Sequence, residues 1–145
     1  MRIIIAGSRK LDGDDIYQLL EKNCIDIISK LQYDNGISSS DIEIISGNAK
    51  GIDKLGERFA KEHKLKLKLF PANWKDMSWP CIIGHNEYGD YNKMAGAKRN
   101  SQMAKYAGES SGILIAFDAG TSGTKNMIKM AKEEGIQIYK IDCRK

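Results

Sequence analysis

The sequence has little of what metal centres and disulfide-bonded folds need. It holds only three cysteines and two histidines, and no Cys-x-x-Cys pair occurs. A scattered, odd-numbered set of cysteines is typical of reduced thiols in a cytoplasmic protein rather than of a disulfide framework or a zinc site. Cys81 and His85 lie four residues apart, but two ligands do not make a metal site. We therefore predict no bound metal and no cofactor.

Long apolar runs are also missing. No segment approaches the ~20 apolar residues that a membrane helix needs, and the start, MRIIIAGS, is too short and lacks the cleavage-site pattern of a signal peptide. We therefore expect a cytoplasmic protein that has no membrane partner. Hydrophobic residues make up 41% of the chain and charged residues 29%, which is typical of a globular domain, and we predict one domain over residues 1–145.

Two common phosphate-binding motifs are absent as well. No G-x-G-x-x-G follows the first apolar run, and no G-x-x-x-x-G-K-[ST] occurs anywhere. This argues against ordinary dinucleotide dehydrogenases and P-loop nucleotidases. The net charge of +4 favours anionic ligands in general. The lysines are spread along the chain, so the charge alone does not choose between a nucleotide and a nucleic acid, although nothing in it marks a committed nucleic-acid binder.

What the sequence does contain is an alternation of short β-branched runs and helical periods. Buried strands are predicted at RIIIA (2–6), IEIIS (42–46), GILIAF (112–117) and IQIYKI (136–141). The alternating KLKLKL (64–69) predicts a strand at the sheet edge, because lysines protect exposed edges. Helices are predicted at about 16–31, 51–63, 96–107 and 126–135, and a long loop at about 70–95.

This order of elements predicts an α/β fold. We expect a Rossmann-like, doubly wound parallel sheet of about five strands in the order 3-2-1-4-5, with helices on both faces. The strand order then reverses between strands 1 and 4, and ligands bind in the crevice at the carboxyl ends of the strands there. Three loops rich in glycine and hydroxyl groups would line that crevice, namely 7–9, 46–53 and 118–124.

These loops supply the candidate ligand-binding residues. Small residues let backbone N–H groups approach an anion, and a following helix adds its positive N-terminal dipole. We predict that the ligand is bound by Gly7, Ser8, Arg9, Ser46, Gly47, Asn48, Ala49, Gly51, Arg99, Asp118, Gly120, Thr121, Ser122, Gly123 and Thr124. In this set the two arginines would pair with phosphates, and the Asp118 carboxylate would accept from ribose hydroxyls or act as a base.

Other residues near these loops have less definite roles. Asp53 is predicted to cap the second helix or to orient the 46–51 loop, which is a structural role. Trp74 is predicted to fill core space under the long loop. The aromatic residues of that loop could equally stack on a base. For Tyr88 and Tyr91 the sequence does not choose between packing within the protein and stacking on a ligand.

Five motifs in order give a family resemblance: IIAGSR, ISGNAKGID, PANW, AGAKRNSQMAKYA and LIAFDAGTSGTKNMI. Together they resemble the YspA/YpsA-related branch of the SLOG superfamily, which also holds the LOG phosphoribohydrolases and the DNA-processing protein DprA. The resemblance covers nearly the whole chain apart from an expansion at residues 77–93. It implies a nucleotide or a nucleotide-derived signal, such as an ADP-ribose-like molecule or a cyclic nucleotide, as partner. It also implies that the protein forms a homo-oligomer and that it comes from a bacterium or a phage.

The same resemblance weighs against an enzyme. Arg99 falls where LOG enzymes carry an arginine used in N-glycosidic bond cleavage, but the glutamate of their P-G-G-x-G-T-x-x-E signature is Met127 here. A thioether can neither accept a proton nor stabilise a developing positive charge. We therefore expect a sensor or sequestering protein, with an N-glycosidic hydrolase using Arg99 and Asp118 as the alternative and DNA binding as the third hypothesis.

Overall fold

Four helices cover a parallel sheet in the computed structural model, which describes residues 1–144. The strands are β1 (Arg2–Gly7), β2 (Glu43–Ser46), β3 (Lys66–Leu69), β4 (Ile83–Asn86), β5 (Gly89–Asn92), β6 (Ile113–Asp118) and β7 (Gln137–Asp142). The helices are α1 (Asp14–Asn35), α2 (Ile52–Glu62), α3 (Ala95–Gly108) and α4 (Ser122–Glu133), with a short 3-10 turn at Ser39–Asp41. None of the helices among residues 1–144 is both long and apolar enough to cross a membrane.

The main sheet has five strands in the order β3-β2-β1-β6-β7, and every neighbouring pair is parallel. This confirms the predicted Rossmann-like order, because β6 and β7 are the fourth and fifth strands of the sheet. The chain winds outwards from β1 to β3 and then returns to the other side of β1 with β6. The predicted reversal of strand order therefore falls between β1 and β6.

Alternate residues of the central strands enter two separate hydrophobic cores. On β1, Ile3 and Ile5 face α1 and α2, whereas Ile4 faces α3 and α4. All three side chains are almost completely buried. Successive side chains of a strand point to opposite faces of the sheet, and in a parallel sheet covered by helices both faces are buried. The lysines of β3 are exposed at the sheet edge, as the alternating pattern predicted.

Residues 70–95 are more ordered than the sequence suggested. They contain the antiparallel β4–β5 hairpin, which pairs Ile83 with Asn92 and Asn86 with Gly89. The buried Asn92 side chain holds the segment together. It accepts from the N–H groups of Ile82 and Met94 and donates to the carbonyls of residues 76 and 80. Most hairpin residues are exposed, so no hydrophobic alternation marked these strands.

The start of α4 also differs from the prediction. The helix begins at Ser122 rather than near Asn126, so residues predicted as loop form its first turn. Small polar residues are typical of both a loop and a helix N-terminus. Thr121 stands at the N-cap position in extended backbone. This shift places the backbone of residues 122–124 at the edge where β1 and β6 end.

Candidate functional site

A cavity of about 630 Å³ lies where β1 and β6 end, at the reversal of strand order. Its walls come from the β1–α1 turn, the start of α2, the end of the 70–95 segment, α3 and the first turns of α4. It is lined by Ala6, Gly7, Ser8, Arg9, Lys10, Ala49, Asp53, Trp74, Lys93, Met94, Gly96, Ala97, Arg99, Asn100, Met103, Thr121, Ser122, Gly123, Thr124, Asn126 and Met127. The cavity therefore sits where parallel α/β sheets usually bind ligands.

The first turn of α4 lines this cavity, and the first N–H groups of a helix have no intrahelical partner. The N–H groups of Ser122, Gly123 and Thr124 precede the first intrahelical bond, which runs from Lys125 N to Thr121 O, and the Thr121 side chain at the N-cap position makes no capping hydrogen bond. Uncapped N–H groups and the helix dipole together favour an anion. The Thr121 and Thr124 hydroxyls lie 3.1 Å apart at the same place.

Four cationic side chains lie on the cavity wall, those of Arg9, Lys10, Lys93 and Arg99. Arg9, Lys10 and Lys93 line it, and within residues 1–144 none of their side chains donates to a protein acceptor. Arg9 and Lys10 directly follow β1, whereas Lys93 comes from the end of the β4–β5 hairpin. One carboxylate, that of Asp53, lines the same cavity. The resulting excess of positive charge suits a ligand with more than one negative charge.

Arg99 reaches the cavity from α3 and is 9% exposed. It donates through Nη1 to the carbonyl of Gly47 and through Nε to Asn100 Oδ1 at 3.0 Å. A Cβ at Gly47 would lie 2.6 Å from the Arg99 Nη1 and 2.8 Å from Asp53 Oδ2. The space that a side chain at Gly47 would fill is therefore taken by Arg99 and Asp53. The glycine lets these two side chains approach the loop, and it leaves no room there for a ligand.

The Asp53 carboxylate is the acidic partner of this arrangement. It is 7% exposed and accepts from the Ala49 N–H at 3.1 Å, which is the predicted role of orienting the 46–51 loop. Burial raises its pKa above the ordinary value, although the Ala49 N–H and the Arg99 guanidinium oppose that rise. Burial likewise lowers the pKa of Arg99. The largest effect opposing burial is the Ala49 N–H for the pKa of Asp53 and the Asp53 carboxylate for the pKa of Arg99.

A raised pKa in the folded protein predicts how stability depends on pH. Asp53 contributes stability below its unfolded pKa of 3.8, and that contribution is lost as the pH rises through the folded value. Asp53→Asn keeps an oxygen for the Ala49 N–H but does not titrate. We expect the free energy of unfolding of the wild-type protein to fall relative to that of the variant as pH rises above about 4.

Urea unfolding of both proteins over a pH series measures this difference. Asp26→Asn, which removes an exposed carboxylate on α1, is the control for the loss of one negative charge. A wild-type protein that gained stability relative to Asp53→Asn with rising pH would mean that Arg99 and Ala49 outweigh the burial.

The remaining residues of the 46–51 loop organise the loop itself. Ser46 Oγ donates to Glu57 Oε2 at 2.7 Å and accepts from the Asn48 N–H at 3.0 Å. Asn48 has a positive φ of 59°, and its Oδ1 accepts from Lys54 at 2.6 Å. Of the predicted residues in this loop, Ala49 lines the cavity, and Ser46, Gly47, Asn48 and Gly51 do not.

Asp118 and Gly120 also lie outside the cavity wall. The Asp118 carboxylate accepts from the Gly120 N–H at 2.8 Å and forms an ion pair with Lys140 at 3.3 Å. The Gly120 N–H, followed by Lys140, lowers its pKa below the ordinary value. These contacts fix the turn between β6 and α4. They give Asp118 a structural task at the end of β6, beside β7.

Several residues on the cavity wall were not predicted from the sequence. Lys10, Lys93, Asn100 and Asn126 line it, and Asn100 Nδ2 donates to Asn126 Oδ1 at 2.8 Å. The prediction that Trp74 fills core space is wrong, because its side chain is 36% exposed and forms part of the cavity wall. The one sequence feature that could have indicated a position on the cavity wall is its place in the aromatic-rich long loop after Pro71.

The fold and the cavity together define the class of protein. A doubly wound parallel sheet with a cavity at the reversal of strand order is a Rossmann-like α/β architecture. The chain belongs to the YAcAr family, described as the YspA, cpYpsA-related SLOG family, whose family model matches residues 1–76. This confirms the resemblance drawn from the five motifs.

A solved structure extends the likeness to nearly the whole chain. The X-ray structure of DNA processing protein A (DprA) from Streptococcus pneumoniae matches with a TM-score of 0.63 and 21% sequence identity. The match covers 97% of this chain and 50% of that chain, so the present chain spans half of the DprA chain. At this identity the likeness shows a common fold. No curated protein sequence matches the chain.

Proposed function

We propose that this protein binds a phosphate-bearing nucleotide, or a signal derived from one, in the cavity at the ends of β1 and β6. The observation that carries the proposal is that Arg9, Lys10 and Lys93 line the same cavity as the first turn of α4. Phosphates would lie on residues 122–124 and pair with Arg9. The cavity of about 630 Å³ falls in the range usual for small-molecule sites, and its size suits a nucleotide.

The proposal is a binder, acting as a sensor or a sequestering protein, rather than a hydrolase. Met127 is 1% exposed and lines the cavity where the LOG signature carries its glutamate. Asp118, the acid or base of the alternative hypothesis, accepts from Gly120 and pairs with Lys140 instead. Asp53 is the one carboxylate of residues 1–144 on the cavity wall, and its Oδ2 accepts from the Ala49 N–H.

Calorimetric titration with ADP-ribose, AMP and adenosine tests the proposal. We expect saturable binding of the two phosphate-bearing compounds, weakened by added salt, and no binding of adenosine at the same concentrations. Trp79→Phe provides a second signal, because it leaves Trp74 as the sole tryptophan and Trp74 lines the cavity. Ligand entry should then change the tryptophan fluorescence.

The competing hypotheses give different results in the same samples. Release of a free base from the nucleotides, followed by mass spectrometry, would indicate hydrolysis. Tight binding of a single-stranded oligonucleotide with a steep salt dependence, together with no binding of ADP-ribose or AMP, would favour DNA as the partner. If none of these ligands bound, the proposal of a nucleotide site would be wrong.

A further inference from the structure

A second cavity of about 660 Å³ lies beside the first, against the β4–β5 hairpin. It is lined by Arg9, Trp74, Lys75, Asn86, Tyr88, Tyr91 and Lys93. Three of these residues, Arg9, Trp74 and Lys93, also line the first cavity. The two cavities therefore meet at a boundary made of two cations and an indole ring, and one extended ligand could occupy both.

The second cavity differs from the first in its chemistry. Its wall contains three aromatic rings, three cationic side chains, one amide and no carboxylate. The Trp74 and Tyr91 rings stand edge to face with their centroids 6.3 Å apart. Tyr88 is 79% exposed at the hairpin tip, and within residues 1–144 its ring stacks on no other aromatic ring. Exposed aromatic faces next to cations are well suited to nucleobases attached to phosphates.

The hairpin that carries these rings is tied to the rest of the protein. Lys75 Nζ donates to the carbonyls of Tyr88 at 3.1 Å and Asp90 at 3.4 Å, so this ammonium is used within the fold. The Asp90 carboxylate pairs with His85 at 2.5 Å. Asn86 Oδ1 accepts from the Tyr88 N–H at 2.9 Å, which leaves the Asn86 NH2 group to donate to a base edge.

We propose that this hairpin cavity holds the base of a second nucleoside, so that the ligand is a dinucleotide whose linking phosphates lie at Arg9 and Lys93. The inference rests on the proposed function, because it uses the same cations for the phosphates. The phosphates lie between Arg9 and the first turn of α4, the first nucleoside fills the rest of that cavity, and the second base stacks on Tyr88. The first subsite binds phosphates, and the aromatic subsite selects ligands with two bases.

Two compounds that differ by one base test the inference directly. ADP-ribose and diadenosine diphosphate share an adenosine, two phosphates and a second ribose, but only the dinucleotide carries a second adenine. We expect diadenosine diphosphate to bind about tenfold more tightly, since stacking of one base on an aromatic side chain has an effect of that order. Equal affinities would overturn the inference while leaving the proposed nucleotide site intact.

The variant Tyr88→Ala separates the hairpin cavity from the first one. Tyr88 lines the second cavity and not the first, so the variant should lose the advantage of the dinucleotide and keep its affinity for ADP-ribose. Tyr33→Ala is the matched control, because Tyr33 is 91% exposed on α1 and lines neither cavity. A dinucleotide advantage that survives in Tyr88→Ala would also overturn the inference, and absence of binding by both ligands would overturn the proposed function as well.

Discussion

Replacing Arg9 by alanine is expected to weaken ADP-ribose binding by about 1.5–3 kcal/mol, or roughly ten- to hundredfold, because a charge-assisted phosphate contact has that magnitude. Arg9 lines both cavities, and its guanidinium lies 5.8 Å from the centroid of the Trp74 ring. Since the side chain is exposed, the free energy of unfolding should change by no more than about 0.5 kcal/mol. Calorimetric titration and urea unfolding measure the two quantities.

Two further variants show what part of the arginine matters. Arg9→Lys keeps the charge and loses the planar fork that binds phosphate through two donors, so its affinity should lie between those of the wild type and Arg9→Ala. Lys22→Ala removes one positive charge from an exposed site on α1 that lines neither cavity. If Lys22→Ala weakened binding as much as Arg9→Ala, net charge rather than a contact at Arg9 would explain the affinity.

The sequence predicted the sheet because its strands carry unmistakable patterns. The run around Ile3 to Ile5 is apolar on both sides, as a covered parallel strand must be, and the lysines of β3 marked an edge. Once the strand order was set, the loops after β1, β2 and β6 had to meet at one edge. That argument placed Arg9, Ala49 and residues 121–124 together, and all of them line the cavity.

What the sequence could not predict is the direction of side chains within those loops. Ser46 and Asn48 look like ligand-binding residues by composition, yet they hydrogen bond to Glu57 and Lys54 of α2. Conversely, Lys93 resembles any surface lysine until the hairpin brings it to the cavity wall. The hairpin itself was missed because its residues are mostly exposed on both faces, which removes the hydrophobic period on which strand prediction depends.

Gly51→Ala is expected to have the largest effect on stability of the variants considered. Gly51 has φ 74° and ψ −128°, a conformation that costs a residue with a Cβ about 1–3 kcal/mol. In addition, a Cβ there would overlap the Ser8 carbonyl oxygen and lie 2.7 Å from Arg9 Cα. Both neighbours are backbone atoms, which cannot move aside as a flexible side chain can. We expect a total loss of about 3–5 kcal/mol in the free energy of unfolding.

The matched control separates conformational strain from overlap. Gly36 also has a positive φ, of 65°, but a Cβ there would meet nothing within 4 Å. Gly36→Ala should therefore lose only about 1 kcal/mol, from the conformation alone. Urea unfolding of both variants with unchanged m-values gives the two losses on one scale. A similar loss in the two proteins would mean that the 46–51 loop moves away from β1 easily.

The same contact links stability to the proposed binding site. Ile52 N donates to the Ser8 carbonyl at 3.2 Å, so Gly51 lets the start of α2 rest on the turn that carries Arg9. Backbone displaced by a Cβ would carry the Arg9 guanidinium away from the phosphate position at α4. We expect the folded fraction of Gly51→Ala to bind ADP-ribose more weakly, whereas Gly36→Ala binds it normally. Normal affinity in the folded fraction of Gly51→Ala would show that Arg9 reaches the ligand without support from α2.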